Sequence, residues 1–230
     1  MPKKEKLRNF HRQEILKSTY ELCSNNSMAS LTMREVSKRS QYTLRTLYRY
    51  FKSKEELLYE LLTVLMEEKG KWLFPIIEKQ KSPLMKIFAY IYANFRYLEK
   101  FPAELKIANF CQAMEYDLKN VSRGLILRNE ERRLRLYSYF ERLFEDGIKR
   151  GYFKEDLHIA YTQNIMTETF RQVNYLVIVL KSRPEDYFLE YKRLFLRSII
   201  TDLKENELKN LLSGKIDLPE IPVGVNISQD

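Results

Sequence analysis

At 230 residues the chain is long enough to bury a sizeable core, as one large domain or as two unequal ones. It holds 40 Lys/Arg against 31 Asp/Glu, and the whole surplus lies at one end: residues 1–54 contain 13 Lys/Arg and 4 Asp/Glu, whereas residues 55–230 contain 27 of each. This asymmetry predicts a polyanionic partner for the N-terminal quarter, nucleic acid before membrane. A solubilising basic tail is the alternative, but a tail would end near Arg12 and the basic residues continue beyond it.

Other features argue against a secreted, membrane-spanning or metal-binding protein. The polar stretch Pro2–Arg12 is not followed by the apolar segment of a signal peptide, and the longest apolar run, Val173–Leu180, is far shorter than the roughly 20 residues that span a bilayer. Cys23 and Cys111 lie among apolar residues at helical spacing, which predicts buried thiols in a reducing compartment. We therefore expect a cytoplasmic protein without a metal site or cofactor.

Glycine is scarce and apolar residues recur at intervals of three and four, so the chain is predicted to be all-α. We expect about nine helices and then an extended tail, which contains Pro219, Pro222 and Gly224. In chain order the predicted helices span about Leu7–Cys23, Met33–Arg39, Leu44–Tyr50, Ser53–Phe74 (with Ser53 as the cap), Leu84–Glu99, Pro102–Tyr116, Gly124–Arg150, Asp156 or Leu157 to Lys181, and Glu185–Lys204.

The stretch Ser30–Leu58 contains helix starts that are marked by capping residues. Thr32 and Glu35 match the T-x-x-E capping box, and Leu31 and Val36 occupy the positions of a hydrophobic staple. The chain is therefore predicted to enter a helix just after Thr32.

Ser53 and Glu56 repeat this box before the next long helix, and Thr43 can cap the short helix between the two. A helix of about seven residues is not stable alone, so its neighbours must hold it. One side of this helix is apolar: Leu44, Leu47 and Phe51, with Tyr48 at the border. The opposite side carries Arg45, Thr46, Arg49 and Tyr50.

A capped helix, a four-residue turn and a second, two-faced helix indicate a helix-turn-helix, whose second helix enters the major groove of DNA. Arginine can donate two hydrogen bonds to guanine or phosphate, and Thr and Tyr hydroxyls can bind phosphate oxygens. Arg34 and Lys54 add positive charge near helix N-termini, which favour phosphate. The residues predicted to contact DNA are Thr32, Arg34, Thr43, Leu44, Arg45, Thr46, Tyr48, Arg49, Tyr50 and Lys54.

The run TLYRYF at 46–51, followed by KSKEELL at 52–58, resembles the DNA-binding signature of the TetR family of bacterial transcriptional regulators, over about Ile15–Leu61. The resemblance implies three DNA-binding helices, a larger domain that binds a small ligand, and a homodimer formed by the last two helices. In that family, ligand binding tilts the fourth helix, spreads the two recognition helices and releases the operator. By motif position, the resemblance implies phosphate contacts by Thr32, Tyr48, Tyr50 and Lys54 and base contacts by Leu44, Arg45, Thr46 and Arg49.

Two positions depart from the family pattern. The family usually has glycine in the turn and a small residue early in the recognition helix, where this chain has Gln41 and Arg45. A left-handed Gln41 would cost about 1–2 kcal/mol relative to glycine. Leu44 has two interpretations, core packing or contact with a thymine methyl group, and burial is favoured because apolar stripes at helical spacing usually face a core.

Aromatic residues of the neutral part either line a ligand pocket or pack in the core, and their spacing does not separate the two. His11 and His158 have no partner at metal or catalytic spacing, and no nucleophile, phosphate-loop or zinc motif is present, so no enzyme is expected. The candidates for a ligand pocket are Tyr97, Phe110, Met114, Tyr137, Phe170 and Tyr175.

We predict a DNA-binding domain at 1–52, a ligand-binding and dimerisation domain at 53–204, and a tail at 205–230. The predicted function is a homodimeric repressor, released from a palindromic double-stranded DNA operator by a small ligand, with its dimer formed through about 157–181 and 185–204. The alternative is a chromosome-associated DNA-binding regulator of the same fold without a small-molecule inducer. A helical enzyme with an incidental basic N-terminus is a third interpretation, for which the sequence supplies no catalytic groups.

Overall fold

The computed structural model describes residues 3–28, 30–113, 118–180, 184–201 and 218–221, and for residues 170–171, 173–180, 184–188 and 192 it describes the backbone alone. Within these ranges the chain is all-α, as predicted, with one isolated antiparallel bridge between Phe153 and Ile200. The helices are α1 (Lys3–Asn25), α2 (Met33–Ser40), α3 (Leu44–Tyr50), α4 (Lys54–Glu78), α5 (Pro83–Lys100), α6 (Pro102–Ala113), α7 (Arg123–Lys149), α8 (Ile159–Leu180) and α9 (Pro184–Ile199).

The predicted end of α4 before Pro75 is wrong, because the helix continues through the proline to Glu78. Proline removes its own backbone N–H from the helix and its ring crowds the carbonyl four residues earlier, and burial of the residues that follow offsets that cost. Ile76 and Ile77 are both buried in the core of their unit, and the carbonyl of Pro75 still accepts a hydrogen bond from Lys79 N–H at 3.3 Å.

The predicted extension of α9 to Lys204 is also wrong, because the helix ends at Ile199. The backbone there leaves the helix to pair with the segment after α7: Lys154 N–H donates to Ile199 O at 3.0 Å, and Thr201 N–H donates to Tyr152 O at 3.2 Å. The predicted helix ends at Tyr116 and Lys181, and most of the tail, lie outside the described residues.

The turn that ends α7 is built on two glycines. Gly151 has φ +68°, the left-handed conformation expected of a glycine just past a helix, and its N–H donates to Ile148 O at 2.9 Å. Gly147 accepts from Tyr152 N–H at 2.8 Å. A β-carbon at Gly147 would come within 2.1 Å of the Phe153 ring, so close approach of this buried ring requires glycine there.

The described residues group into two compact units: residues up to 70 with 101–130, and residues 71–100 with 131–221. Both α4 and α7 begin in the first unit and end in the second. This structural division does not test the predicted functional boundary at residue 52, which stays a prediction. The core of the first unit joins the first four helices to α6 and to the start of α7, through Ile15, Leu16, Val36, Leu47, Phe51, Leu57, Leu58, Leu61, Ile107, Cys111 and Leu125.

In the second unit an apolar cluster of α4 and α5 includes Leu73, Ile77 and Ala89. Elsewhere in this unit, Tyr191 of α9 donates its hydroxyl to Met166 O of α8 at 2.8 Å. Burial raises the pKa of this phenol well above its ordinary value. In the described part of the chain, no helix combines the length and the apolar character that crossing a membrane requires.

Candidate nucleic-acid interface

The start of α2 has the predicted capping box. Thr32 has extended backbone angles, its N–H donates to Glu35 Oε2 at 3.0 Å, and Glu35 N–H donates to Thr32 Oγ1 at 3.2 Å. Leu31 and Val36, predicted to form the hydrophobic staple, are both buried in the same core. Local sequence therefore fixes where α2 begins.

The turn between α2 and α3 contains Gln41 in the left-handed conformation, with φ 60° and ψ 15°. The turn therefore has the backbone geometry that is typical of glycine, although the side chain of Gln41 makes this conformation less favourable. Two contacts hold the next residue: Ser37 Oγ donates to Tyr42 O at 2.6 Å, and the Tyr42 hydroxyl shares a 2.6 Å hydrogen bond with His11 Nδ1.

Replacing Gln41 by glycine is expected to stabilise the protein. Relief of the left-handed strain should raise the free energy of unfolding by about 1–2 kcal/mol. The greater freedom of the unfolded chain with glycine lowers it by about 0.4–1 kcal/mol. The exposed Gln41 side chain offers little packing to lose. Thermal unfolding followed by circular dichroism should show a rise of a few degrees. The matched control is Lys38→Gly, at an exposed position inside α2, which should lower the midpoint instead. A lower midpoint for Gln41→Gly would contradict the strain argument.

The short helix α3 is held as predicted by a cap and a buried stripe. Thr43 Oγ1 accepts from Thr46 N–H at 3.2 Å and lies 3.0 Å from Thr46 Oγ1. Leu47 and Phe51 have no exposed surface. Leu44 is half-buried and packs against the same core, in line with the interpretation favoured above.

The two tyrosines of α3 differ from the helical wheel, which put Tyr48 at the border of the apolar side and Tyr50 on the opposite side. Tyr48 is 54% exposed, whereas Tyr50 is only 9% exposed, so the placement of Tyr50 on the open face is wrong. Tyr50 lies three residues after Leu47 and therefore on the same side of the helix. Its ring lies 6.4 Å from the ring of His11 in α1, measured between centroids.

Arg12 of α1 anchors the end of α3. Its guanidinium pairs with both carboxylate oxygens of Glu60, donates to Tyr50 O at 3.1 Å and stacks 4.7 Å from the centre of the Phe51 ring. These partners lie 38 to 48 residues away along the chain, so no local pattern could have found them. The geometry makes Arg12 a structural support of the interface rather than a free cation.

The open side of α3 presents Arg45, Tyr48 and Arg49 to solvent, with Thr46 half-buried beside them. The Arg49 guanidinium lies 5.4 Å from the centre of the Tyr50 ring, which restricts its orientation. The remaining predicted DNA contacts lie at helix starts: Thr32, Arg34 and Thr43 are exposed, and Lys54 is half-buried. Their roles at DNA stay predictions.

The start of α4 differs from the predicted box in one respect. Ser53 Oγ accepts from Glu56 N–H at 3.0 Å, as predicted, but the Glu56 carboxylate does not return to Ser53. It accepts instead from Lys52 N–H at 2.6 Å and from Ser122 N–H at 3.1 Å. Burial alone would raise the pKa of Glu56, yet these hydrogen bonds outweigh it and hold the pKa below its ordinary value.

A second basic surface lies at the start of α1 and was not among the predicted site residues. The first two turns of α1 carry four cations whose side chains are exposed, namely Lys3, Lys4, Lys6 and Arg8. The sequence feature that pointed to these residues was the surplus of positive charge in residues 1–54. We name these four residues the α1 basic flank.

The predicted pocket aromatics lie in both units. Phe110 packs against the core of the first unit, with Lys54 Nζ 5.2 Å from its ring centre. In the second unit, Tyr97 is buried 5.5 Å from the ring of Trp72, and Tyr137 donates its hydroxyl to Asn164 Oδ1 at 3.2 Å. Met114 and the side chains of Phe170 and Tyr175 lie outside the described residues.

In the second unit, α8 and α9 form an open, mainly apolar groove of about 350 Å³. The residues that line it are Ile165, Thr169, Glu190, Tyr191, Leu194, Phe195 and Ser198. Around it, Ile165 is 58% exposed and Leu194 is 69% exposed. Large apolar side chains in such a cluster usually mark an interaction surface. Among the described residues, no group of three or more His, Cys, Asp or Glu is placed to hold a metal ion.

Comparison with known proteins places this geometry in a family. Residues 15–61 match the family described as bacterial regulatory proteins, tetR family. The HTH-type transcriptional repressor KstR2 of Mycobacterium tuberculosis is 23% identical over 165 residues, which cover 70% of this chain and 78% of that protein. KstR2 of Mycolicibacterium smegmatis is 24% identical over 162 residues, which cover 69% and 75%.

Solved structures share the fold at low sequence identity. The ketosteroid transcriptional regulator KstR2 of Mycobacterium tuberculosis has a TM-score of 0.60 and 20% identity, covering 83% of this chain and 95% of that chain. FadR of Bacillus subtilis, in complex with stearoyl-CoA, has a TM-score of 0.57 and 17% identity, covering 88% and 98%. Because the family match falls on the helix-turn-helix described above, residues 15–61 have the DNA-binding domain of the tetR family, and the chain as a whole resembles TetR-family regulators in sequence and fold.

Proposed function

We propose that the protein is a homodimeric transcriptional repressor that binds a palindromic operator and is released from it by a small ligand. The observation that carries the proposal is the division of α3 into a fully buried side and an open side with Arg45, Tyr48 and Arg49. On this proposal Arg45, Thr46 and Arg49 read bases in the major groove. Phosphate contacts position the helix, and they come from Thr32, Arg34, Thr43, Tyr48 and Lys54. Leu44 and Tyr50 would support the helix from the protein side.

The exposed apolar surface of α8 and α9 supports a dimer. Ile165 and Leu194 flank the groove between these helices, and a second copy of the chain would cover both in a two-fold interface. Two copies would place two α3 helices one turn of DNA, or a multiple of it, apart across the palindrome.

The proposed effector is a small molecule with an apolar body. Two relatives support this class by their descriptions: one is a ketosteroid regulator, and the other was solved in complex with stearoyl-CoA. The second unit would bind the effector, with Tyr97, Tyr137, Phe170 and Tyr175 as candidate contacts. Phe110 and Met114 fall in the stretch 101–130 of the first unit and stay predictions from the sequence alone. The effector would bind one of two domain orientations more tightly and so shift the population away from DNA binding.

Selection of genomic DNA fragments by the purified protein tests the proposal. Sequencing of the bound fragments, with and without an added lipid extract of the source cells, should give one or a few palindromic sites that the extract empties. The mass of the complex on a selected duplex should correspond to two chains or a multiple of two. Many dispersed sites that no extract releases would support the chromosome-associated alternative, and an absence of enriched fragments would overturn both.

The α1 basic flank is expected to contribute phosphate contacts. Replacing Lys4, Lys6 and Arg8 together by alanine should weaken binding to a selected operator and to unrelated DNA alike. The slope of log K against log salt should fall in magnitude by up to about 5.4 for a dimer, since each phosphate contact contributes roughly 0.9 and each of the two chains loses up to three contacts. Fluorescence anisotropy over a salt series measures both quantities. The control replaces Lys149, Arg150 and Lys154 in the second unit by alanine and should leave the slope unchanged. An unchanged slope for the flank variant would remove this surface from the interface.

A further inference from the structure

The carboxylate of Glu56 joins two backbone segments that are far apart in the sequence. One is Lys52, two residues after α3, whose N–H donates to Oε2 at 2.6 Å. The other is Ser122, immediately before α7, whose N–H donates to Oε1 at 3.1 Å. Glu56 is only 4% exposed, so these hydrogen bonds lie largely out of competition with water.

Further contacts surround this link. Ser53 Oγ donates to Asn120 O at 3.1 Å, and Asn129 Nδ2 donates to the Tyr59 hydroxyl at 2.8 Å in the buried core. Leu125 packs into the core that includes Leu47 and Phe51 of the recognition segment. The first two turns of α7 are therefore fixed to the helix-turn-helix by hydrogen bonds and by packing.

α7 then continues as one helix from the first unit into the second. A shift of α7 at its far end would therefore reach Ser122 through an uninterrupted backbone. From Ser122 the Glu56 carboxylate would transmit the shift to Lys52, at the end of the segment that carries Arg49. The charged group that faces Glu56 in this arrangement is Lys52 itself.

We propose that Glu56 is a positioning residue through which α7 controls the recognition helix, as a second connection beside α4. The inference rests on the proposed DNA-binding function and adds to it a route for the effector signal. Because coupling between sites is reciprocal, operator binding at α3 should also protect the start of α7.

The first test uses hydrogen exchange of the free, full-length protein. Ser122→Pro removes one donor on the α7 side and leaves residues 1–121 unchanged, and it should accelerate exchange of the Lys52 amide and of α3 about fivefold or more. Glu56→Gln changes no backbone and should have an equal or larger effect, which keeps the test valid if the proline variant does not fold. The matched control, Glu55→Gln, makes the same chemical change one residue away and should leave that exchange unaltered.

The second test uses the selected operator duplex as the probe. Both variants should weaken operator binding about five- to tenfold, and the double variant should be no weaker than Glu56→Gln alone, because the two changes remove the same bond. Operator binding should slow exchange of the Ser122 amide in the wild type but not in Glu56→Gln.

Exchange of Lys52 and α3 that stays at the wild-type rate in both variants would overturn the proposal and leave Glu56 as a local cap of α4. Additive losses in the double variant would do the same. Failure of the proposed function has a different signature: the wild type then binds no fragment selectively, while the exchange of the free variants still decides whether the link exists.

Discussion

Replacing Arg49 by alanine is expected to weaken binding to a selected operator by at least about 30-fold while the fold and the dimer remain intact. A good bidentate contact to a base discriminates by about 1–3 kcal/mol, and a dimer loses it twice. The side chain is exposed and its guanidinium lies 5.4 Å from the centre of the Tyr50 ring, so little stability is expected to depend on it. Fluorescence anisotropy with the operator and with a scrambled duplex, together with a melting curve, separates the two effects.

Two matched variants sharpen this test. Arg39→Ala removes the same charge from an arginine at the end of α2 whose Nε donates to Glu21 Oε2 at 2.9 Å, and it should change affinity little. Arg49→Lys keeps the charge and loses the planar fork. If Arg49 contacts a base, Arg49→Lys should lower the affinity for the operator nearly as much as Arg49→Ala does. A lysine variant with wild-type selectivity would instead make Arg49 a phosphate contact.

Replacing Gly147 by alanine is expected to be the most damaging single-methyl change in the described part of the chain. The new β-carbon would lie 2.1 Å from two atoms of the Phe153 ring, which has no exposed surface into which it could move. Overpacking of this kind costs about 1–3 kcal/mol and sometimes more, so the unfolding midpoint should fall by several degrees. Thermal or urea unfolding measures the loss.

Gly124 supplies the control, because it lies in the same helix and a β-carbon there meets nothing within 4 Å. Gly124→Ala should stabilise the protein by up to about 1 kcal/mol, through the better helix propensity of alanine. A second variant identifies the cause: Phe153→Leu in the Gly147→Ala background should recover part of the loss, since it removes the ring that the methyl group meets. Equal midpoints for the two alanine variants would refute the close-packing argument.

Features that depend on neighbouring residues in the sequence were predicted well. The capping box at Thr32, the cap at Thr43 and the left-handed glycine at Gly151 all occur as expected. The ends of α2 and α3 fall within one residue of prediction. In each case the deciding interaction joins residues no more than five apart, so both partners can be recognised in the local sequence.

The errors share the opposite property, because distant residues decide them. Tyr50 is buried by His11 and held by Arg12, both more than 30 residues away. Glu56 accepts from the backbone N–H of Ser122, 66 residues further along the chain, instead of from the predicted N–H of Ser53. α9 stops where Lys154 and Tyr152 offer its backbone new partners. Tertiary contacts override local preference at these points, and a single sequence does not reveal them.

The separation of roles within α3 has a consequence for how the protein changes over evolutionary time. Leu47, Tyr50 and Phe51 hold the helix, whereas positions 45, 48 and 49 carry exposed side chains. Mutations at those three exposed positions are expected to leave folding intact. If these side chains contact the operator, as proposed, target-site preference can drift while the scaffold is conserved. A library randomised at these positions should consist mostly of folded proteins and provide a direct starting point for engineering regulators of new promoters.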